Sequence, residues 1–445
     1  MCAHYKRPAS INHFAALKEA FHPTMVTAAA TPPRLSSLDQ FRGYSVAGMF
    51  VVNFLGGLAV THHVLKHNNT HFSYADSIMP SFIFACGFSF RMSFLKRQQQ
   101  TADQSPIRRR FVLRSLGLIL LSLMLFGFNQ EFEHWSEISL SSLGGFVASL
   151  WKANLWEVLA IIGAIQILCL PFIAHSSRSR MLAWFGLGAL HVILSWSFNY
   201  DFVYGRDNWL DAYWGAAGKR AWDGGFWGLL AWSQILLAGT LAYDVTQTAP
   251  PTTAARRLMG WGILCMLLGY GLSCLTRLYD QEVPSPTALN TQVASSTSTA
   301  APVITQSPVL PDWNKARGRA WSQLLAEPPF VPPPPVSERQ LNYWMMDKRI
   351  VSQSFVFFSS GFALALYGLF MLCCDVQHFS SSLFRTFGQN PLAAYIINHF
   401  VNDALLQLIP KDSPLAWVLL GLSVAFGITY LFVRFLEQRG LFLRL

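Results

Sequence analysis

Apolar residues run in long, unbroken stretches along this chain instead of alternating with polar ones. About ten stretches approach the roughly 20 residues an α-helix needs to cross a hydrocarbon layer of ~30 Å. They are residues 44–61, 74–95, 110–128, 154–174, 181–198, 226–245, 257–277, 351–374, 385–409 and 415–436. A spanning segment must satisfy its backbone hydrogen bonds internally, and a helix does so. The pattern predicts an all-α fold: a polytopic integral membrane bundle of about 10 transmembrane helices. Composition points the same way, with 52% hydrophobic, 14% aromatic and only 13% charged residues, against about 25% charged in a soluble domain. That excludes an ordinary cytosolic enzyme, a disordered chain and a soluble nucleic-acid binder.

The net charge of +10 then has to be placed. Basic residues gather at alternate ends of the spans: Lys6, Arg7, Lys18, Arg34 and Arg42 before the first, Lys96, Arg97 and Arg108 to Arg110 after the second. Arg178 and Arg180 follow the fourth, Arg256 and Arg257 the sixth, and Arg434, Arg439 and Arg444 close the chain. With ten spans these places share one side, which the positive-inside rule makes cytoplasmic. The opposite loops fit, since 62–73 carries Lys66 alone and 129–153 contains Glu131, Glu133 and Glu137. The charge therefore reads as orientation, with no nucleic-acid partner, membrane lipid around the bundle and both termini cytoplasmic.

The domain organisation follows. Residues 1–40 are mixed and polar, unlike a cleavable signal peptide, and are expected to form a cytoplasmic N-terminal segment ahead of one membrane domain over 41–445. Inside it, 279–349 is a Pro/Ser/Thr-rich extracytoplasmic insertion holding 11 of the 23 prolines. Such a composition is expected to bury no core and to run partly as polyproline II, although Trp313 to Leu325 has helix-forming stretches able to dock. No internal repeat of the kind many secondary transporters carry is visible. Six cysteines (Cys86, Cys169, Cys265, Cys274, Cys373 and Cys374) lie in apolar runs without zinc or redox spacing and read as small buried hydrophobes.

In a polytopic protein, chemistry is sought where polar residues interrupt apolar helices. The first such cluster joins Asn53 in span one, the loop from His62 to His71, and Asp76 opening span two; four of the twelve histidines fall in that loop. A neutral imidazole can pass a proton between an attacking and a leaving group when a partner fixes its tautomer. Asp76, in a first helical turn that favours a carboxylate, is a plausible orienter, and the Asn53 amide could donate to a developing oxyanion. Polar residues at a membrane interface would look similar. His63, His67 and His71, four apart, could also face one way as zinc ligands, but Asn68-Asn69-Thr70 is turn chemistry and no carboxylate completes a set within the loop, so no metal is expected.

Two further clusters bear on anion or backbone recognition. Asp39 and Arg42 at i,i+3 can pair at a helix start; together with Arg91 and the basic loop 96–110 they could instead hold the phosphates of a nucleotide-bearing donor. The Gly388-Gln389-Asn390-Pro391 break before Tyr395 and His399 could expose backbone to a ligand or simply cap a helix.

Several of these motifs together are specific. Arg34 to Gly43 (Arg-Leu-Ser-Ser-Leu-Asp-Gln-Phe-Arg-Gly), Phe50 to Asn53 with Gly56-Gly57, Lys66-His67, and Tyr74 to Phe84 leading to Gly87 resemble the heparan-alpha-glucosaminide N-acetyltransferase family. Ser354-Phe355-Val356 to Gly361 and Gly388 to Tyr395 support it, in the same order over about 34–436. The resemblance implies a transmembrane acetyltransferase that takes acetyl-CoA as co-substrate from the cytoplasm and acetylates an amino sugar or glycan on the far side. It matches His67 to the family's catalytic histidine, as base or transient acetyl carrier, and Asn53 to its asparagine, as polarising donor; the residues themselves make Asp76 the orienter and Arg42, Arg91 and Asn390 the expected acetyl-CoA contacts. A sugar or polysaccharide acceptor, a bacterial inner (cytoplasmic) membrane and a homodimer are the corresponding expectations. Span four departs from the family, reading Asn154-Leu155-Trp156-Glu157-Val158-Leu159 where the family has Arg-Ile-Pro-Gly-Val-Leu-Gln-Arg. The rival is a transporter or glycan-binding membrane protein of the same fold without acyl-transfer chemistry; dependence on CoA separates the two.

Overall fold

The computed structural model describes residues 35–101, 103–128, 134–281 and 306–443. Lys6, Arg7, Lys18, Arg34, Glu131, Glu133, Arg444 and the stretch 282–305 of the insertion lie outside the described residues. From Ser36 onward the chain forms one compact unit, and its described elements are helices, with a single antiparallel bridge between Asp280 and Arg339.

The main helices in chain order are α1 (Ser36–Leu55), α2 (Tyr74–Gln98), α3 (Ser105–Ser122), α4 (Leu140–Ser149), α5 (Val158–Cys169), α6 (Ser177–Leu194), α7 (Gly225–Thr248), α8 (Pro251–Ser273), α9 (Gln353–Met371), α10 (Ser382–Gln389), α11 (Pro391–Leu406) and α12 (Leu415–Gln438). Several continue through wider or tighter turns, so that α3 reaches Gly127, α6 reaches Tyr204, α8 reaches Tyr279 and α9 reaches Val376. This is an all-α polytopic membrane bundle.

The expectation of about ten straight spans is corrected in detail. Among the described residues seven helices are long and apolar enough to cross a membrane, and an eighth crossing counts only if the pair Leu140–Asn154 and Val158–Cys169, bent by 81°, is one span. The other two apolar segments are helical but differ for identifiable reasons. The first turns of α1 carry Asp39, Gln40 and Arg42, which dilute its hydropathy. The ninth segment is cut in two at Asn390, with Pro391 opening α11.

α2 and α7 form the centre of the bundle, with α1 and α9 beside α2. Lipid tails are as apolar as leucine, so helices in a bilayer associate through close packing and hydrogen bonds. Gly87 and Gly239 make that approach possible between α2 and α7. A Cβ on Gly87 would lie 2.0 Å from the Leu236 carbonyl oxygen, and one on Gly239 2.0 Å from that of Phe84. Aromatic rings fill the space beside them: Phe41, Phe84, Phe88 and Tyr367 are all fully buried and meet edge to face or tilted.

The insertion does more than expected. Its turns Trp313–Ala316 and Trp321–Leu324 dock as anticipated, Gln323 accepting a 2.9 Å bond from Arg277 through its carbonyl. But Val309 and Tyr343 of the insertion, with Ile350 just after it, are buried with Phe198, Tyr200 and Phe202 in one hydrophobic cluster. Proline richness fixes the backbone without preventing burial of the aromatic and aliphatic residues between the prolines. Replacing Gly87 by leucine should force α2 and α7 apart and cost about 1–3 kcal/mol or more, read as a lower midpoint of thermal unfolding in detergent; an unchanged midpoint would contradict this packing.

Candidate active site

The chain leaves α1 at Leu55, runs through the loop to Ser73 and returns in α2, so Asn53, His67 and Asp76 share one end of the bundle. Two devices shape the start of α2. Ser73 caps it, its Oγ accepting the Asp76 N–H at 3.2 Å. Pro80 has no N–H, so the Asp76 carbonyl four residues earlier receives no helical bond from it.

The Asp76 side chain is fully buried and accepts three donors. His67 Nδ1–H donates to Oδ1 at 2.9 Å, while Oδ2 accepts the Asn68 N–H at 3.2 Å and the Ser73 hydroxyl at 2.7 Å. The carboxylate can only accept, so the proton of this bond sits on Nδ1 and the lone pair on Nε2. The His67 side chain is 44% exposed while Asp76 is 0% exposed. The imidazole is thus held from below and open above, the arrangement an acid–base or nucleophilic group needs.

The neighbouring histidines differ. His71 is buried, its Nδ1 sharing a 3.1 Å bond with Thr70 Oγ1 and its Nε2 without a partner. It lines a cavity of about 20 Å3 shared with Thr276, Glu327 and Arg339. Burial lowers its affinity for a proton, Asp76 opposing and His63 adding to that effect. Only His63–Leu65 of the loop is helical, so His63, His67 and His71 do not share one helical face. Asn53 is exposed near the end of α1, and among the described residues no hydrogen bond joins it to His67 or Asp76.

A further ion pair is buried between the segments ahead of α7 and α9. Lys348, ahead of α9, meets Asp223, ahead of α7, at 3.0 Å, both side chains largely buried. Burial pulls the Lys348 ammonium down, but Asp223, Asp76 and Glu157 together outweigh it and hold it above the ordinary lysine value. The turn carrying Lys348 is tightly knit: Ser352 Oγ accepts the Asp347 N–H at 3.2 Å, and the Arg349 carbonyl accepts the Gly224 N–H at 2.6 Å. Buried Asp347, bonded by the Tyr204 hydroxyl, has its carboxyl pushed up to about 7 by burial.

At the opposite end, Arg42 pairs with Asp39 while its Nε is buried without a partner. Arg42, Arg97 and Arg110 each lie within electrostatic reach of Arg114, and Arg97 of Arg110, with the Cys86 thiol within reach of Arg42 and Arg114. Such a group attracts a polyanion. Arg91 and Asn390 are occupied internally. Arg91 donates to Asp244 at 3.1 Å and to the Ile173 carbonyl. Asn390 donates to the Leu441 carbonyl at 3.0 Å and accepts the Leu443 N–H at 3.1 Å.

The structure therefore joins His67 to Asp76, keeps Asn53 at the same end, sets Arg42 in the arginine group, and gives Arg91 and Asn390 binding partners within the protein. Sequence reasoning missed Lys348, Asp223, Glu157 and Arg114. Lys348 stands just ahead of Ser354-Phe355-Val356, one of the motifs already singled out, and that position was its available signal.

The described structure is thus a polytopic helical membrane bundle with a sealed Asp76 bonded to an open His67 at one end and several arginines at the other. The profile of the heparan-alpha-glucosaminide N-acetyltransferase catalytic family matches residues 34–272, more than half of the chain, and the protein belongs to that family. It is similar to the human protein heparan-alpha-glucosaminide N-acetyltransferase, 31% identical over 97 residues, which is 22% of this chain and 14% of the human one.

Because burial lowers the proton affinity of His71 in the folded protein, the unfolded chain takes up its proton first as pH falls through the ordinary histidine range near 6.5. Stability should drop as pH is lowered below that range, and His71→Gln should reduce the drop. Thermal unfolding in detergent across this range checks it; identical pH dependence in both proteins would contradict a lowered proton affinity of buried His71.

Proposed function

We propose that the protein is a transmembrane acetyltransferase that moves an acetyl group from acetyl-CoA, entering at the arginine end, to an amino sugar or glycan at the His67 end. The observation that carries this reading is the His67–Asp76 hydrogen bond, 2.9 Å long, with Asp76 sealed and His67 open. Family membership supports acyl transfer as the reaction class.

The arginine end fits the donor. Arg42, with an unpartnered buried Nε, and the nearby Arg97, Arg110 and Arg114 suit the phosphates of CoA. By the positive-inside rule this end faces the cytoplasm, where acetyl-CoA is made, and a bacterial inner membrane is the corresponding location. The pantetheine arm then runs along the bundle and brings the thioester towards His67.

At the other end the acceptor amine attacks the thioester carbonyl. A C–N bond forms, the C–S bond breaks, and the amine proton passes to His67 Nε2 and on to the departing CoA thiolate. Asp76 keeps the Nδ1–H tautomer and stabilises the imidazolium while the proton is held. Asn53, exposed at the same end, is the donor available to the developing oxyanion. If the imidazole instead carries the acetyl group transiently, the same Nε2 lone pair is the nucleophile.

His67→Ala should remove acetyl transfer from radiolabelled acetyl-CoA to amino sugars, by about 100-fold or more, while the purified protein keeps the parent elution profile and unfolding midpoint. Near-full turnover by this variant would remove His67 from the reaction. CoA-independent movement of a sugar would favour a transporter instead.

A further inference from the structure

We infer that the acceptor is an amino sugar joined to a membrane lipid, whose hydrocarbon chain lies in an apolar groove formed by α8, α9 and the proline segment of the insertion. This rests on the acetyltransferase reading above and names the acceptor class for the same site.

The groove has a volume of about 370 Å3, within the roughly 300–1,000 Å3 usual for ligand pockets. Ile263, Leu267 and Tyr270, at i, i+4 and i+7, give it one face of α8, and Phe358 of α9 with Pro328 and Pro329 completes it. No charged residue lines it, and the Tyr270 hydroxyl is already engaged, donating to the Ala326 carbonyl at 2.7 Å. α8 is long and apolar enough to span the membrane, and its residues Trp261, Leu264 and Leu268 are exposed beside the groove. The groove is therefore continuous with the lipid-facing surface, and its occupant is a hydrocarbon chain.

The proline segment is built to lie there. Tyr270 stands about seven residues, roughly 10 Å, before the end of the apolar run at 277, and non-helical backbone at such depth must have its polar groups satisfied. Pro328 and Pro329 carry no N–H. The Pro328 carbonyl accepts the Val331 N–H at 2.9 Å and the Pro329 carbonyl accepts the Phe72 N–H at 2.8 Å. Leu325, Phe330 and Val331 are exposed around them, an apolar patch of the kind that meets a membrane.

The same two prolines also wall the polar cavity of about 20 Å3 that His71 lines, room for one small polar group. His71 Nε2 is buried there with no partner among the described residues, beside Thr70, Thr276, Glu327 and Arg339. Such an atom is costly unless something meets it, and a sugar hydroxyl, able to donate or accept, satisfies either tautomer. Apolar groove and polar cavity thus share one wall, as an amphiphile requires. Contacts lead from that wall to the reacting imidazole. The Phe72 ring lies 4.8 Å from that of Phe358 and 5.8 Å from that of Phe330; the next residue, Ser73, donates to Asp76 at 2.7 Å, and Asp76 accepts from His67 at 2.9 Å.

The test is photo-crosslinking of the full-length protein in detergent by glucosaminyl diacylglycerol with a diazirine on one acyl chain, the labelled peptides being mapped by mass spectrometry. Label is expected on the stretches 263–270 and 328–330, displaced by unlabelled glucosaminyl diacylglycerol at concentrations at least about 10-fold below those needed of plain diacylglycerol or free glucosamine. Leu267→Trp, which fills the groove from its lipid-facing side, should cut labelling by at least about 5-fold. It should also raise KM for the lipid-borne acceptor while leaving that for free glucosamine near the parent value. Ile263→Trp, one turn away, takes its place if that variant does not fold. Equal displacement by plain diacylglycerol would mean that bulk lipid fills the groove and overturns the proposal, as does label confined to other segments or labelling unchanged in the folded tryptophan variant. Labelling needs no acetyl transfer, so a failure of the acetyltransferase reading would appear separately, as absent transfer with the labelling intact.

Discussion

Everything distinctive in this protein is organised around one buried carboxylate. Asp76 lies in the first turn of α2 with no solvent exposure, where an unpaired carboxylate would be prohibitively costly. It is tolerated because His67, Asn68 and Ser73 each donate to it and because the start of a helix favours negative charge. The same contacts fold the preceding loop back on α2, so the constraint that makes Asp76 affordable also fixes His67. Site and local fold are here one hydrogen-bonded unit.

The rest of the bundle keeps that unit in place and connects it to the far end. The glycine-lined crossing of α2 with α7 sets α2 in the centre. Arg91 ties the far half of α2 to Asp244 on α7 and to the Ile173 carbonyl, and Arg180 reaches Asp244 and Thr240 on the same helix. Arg91 and Arg180, bonded to a carboxylate and a carbonyl on other elements, thus act as struts, whereas Arg97, Arg110 and Arg42, which pairs with Asp39 on its own helix, lie within electrostatic reach of Arg114. That division explains how two kinds of basic residue coexist at one end of the protein.

Much of this was legible from sequence. The long apolar runs indicate the helical class; four histidines gathered between Asn53 and Asp76 mark the loop, and the Lys66-His67 motif singles out His67 among them. The legible part ended where the answer depended on partners. Arg91 and Asn390 have internal partners, Asp244, Ile173, Leu441 and Leu443, that the sequence does not reveal because they lie far away in the chain. The helix within the fourth expected span, Val158–Cys169, is only 12 residues long and set at 81° to the helix before it, and composition registers neither fact. Lys348 was hidden because it falls in a segment whose proline content suggested an unpacked loop, while the buried residues around it, Tyr343, Met345, Met346 and Ile350, are what hold it.

The central claim is that a group crosses the bilayer through this bundle, from the arginine end to His67. The most direct test places the protein in sealed liposomes of known orientation, with radiolabelled acetyl-CoA confined to the side of Arg42 and a membrane-impermeant amino sugar on the side of His67. The account predicts labelled acetyl sugar on the His67 side while CoA stays on the side where it was supplied. Transfer only when donor and acceptor share one compartment, or none in either arrangement, would contradict it.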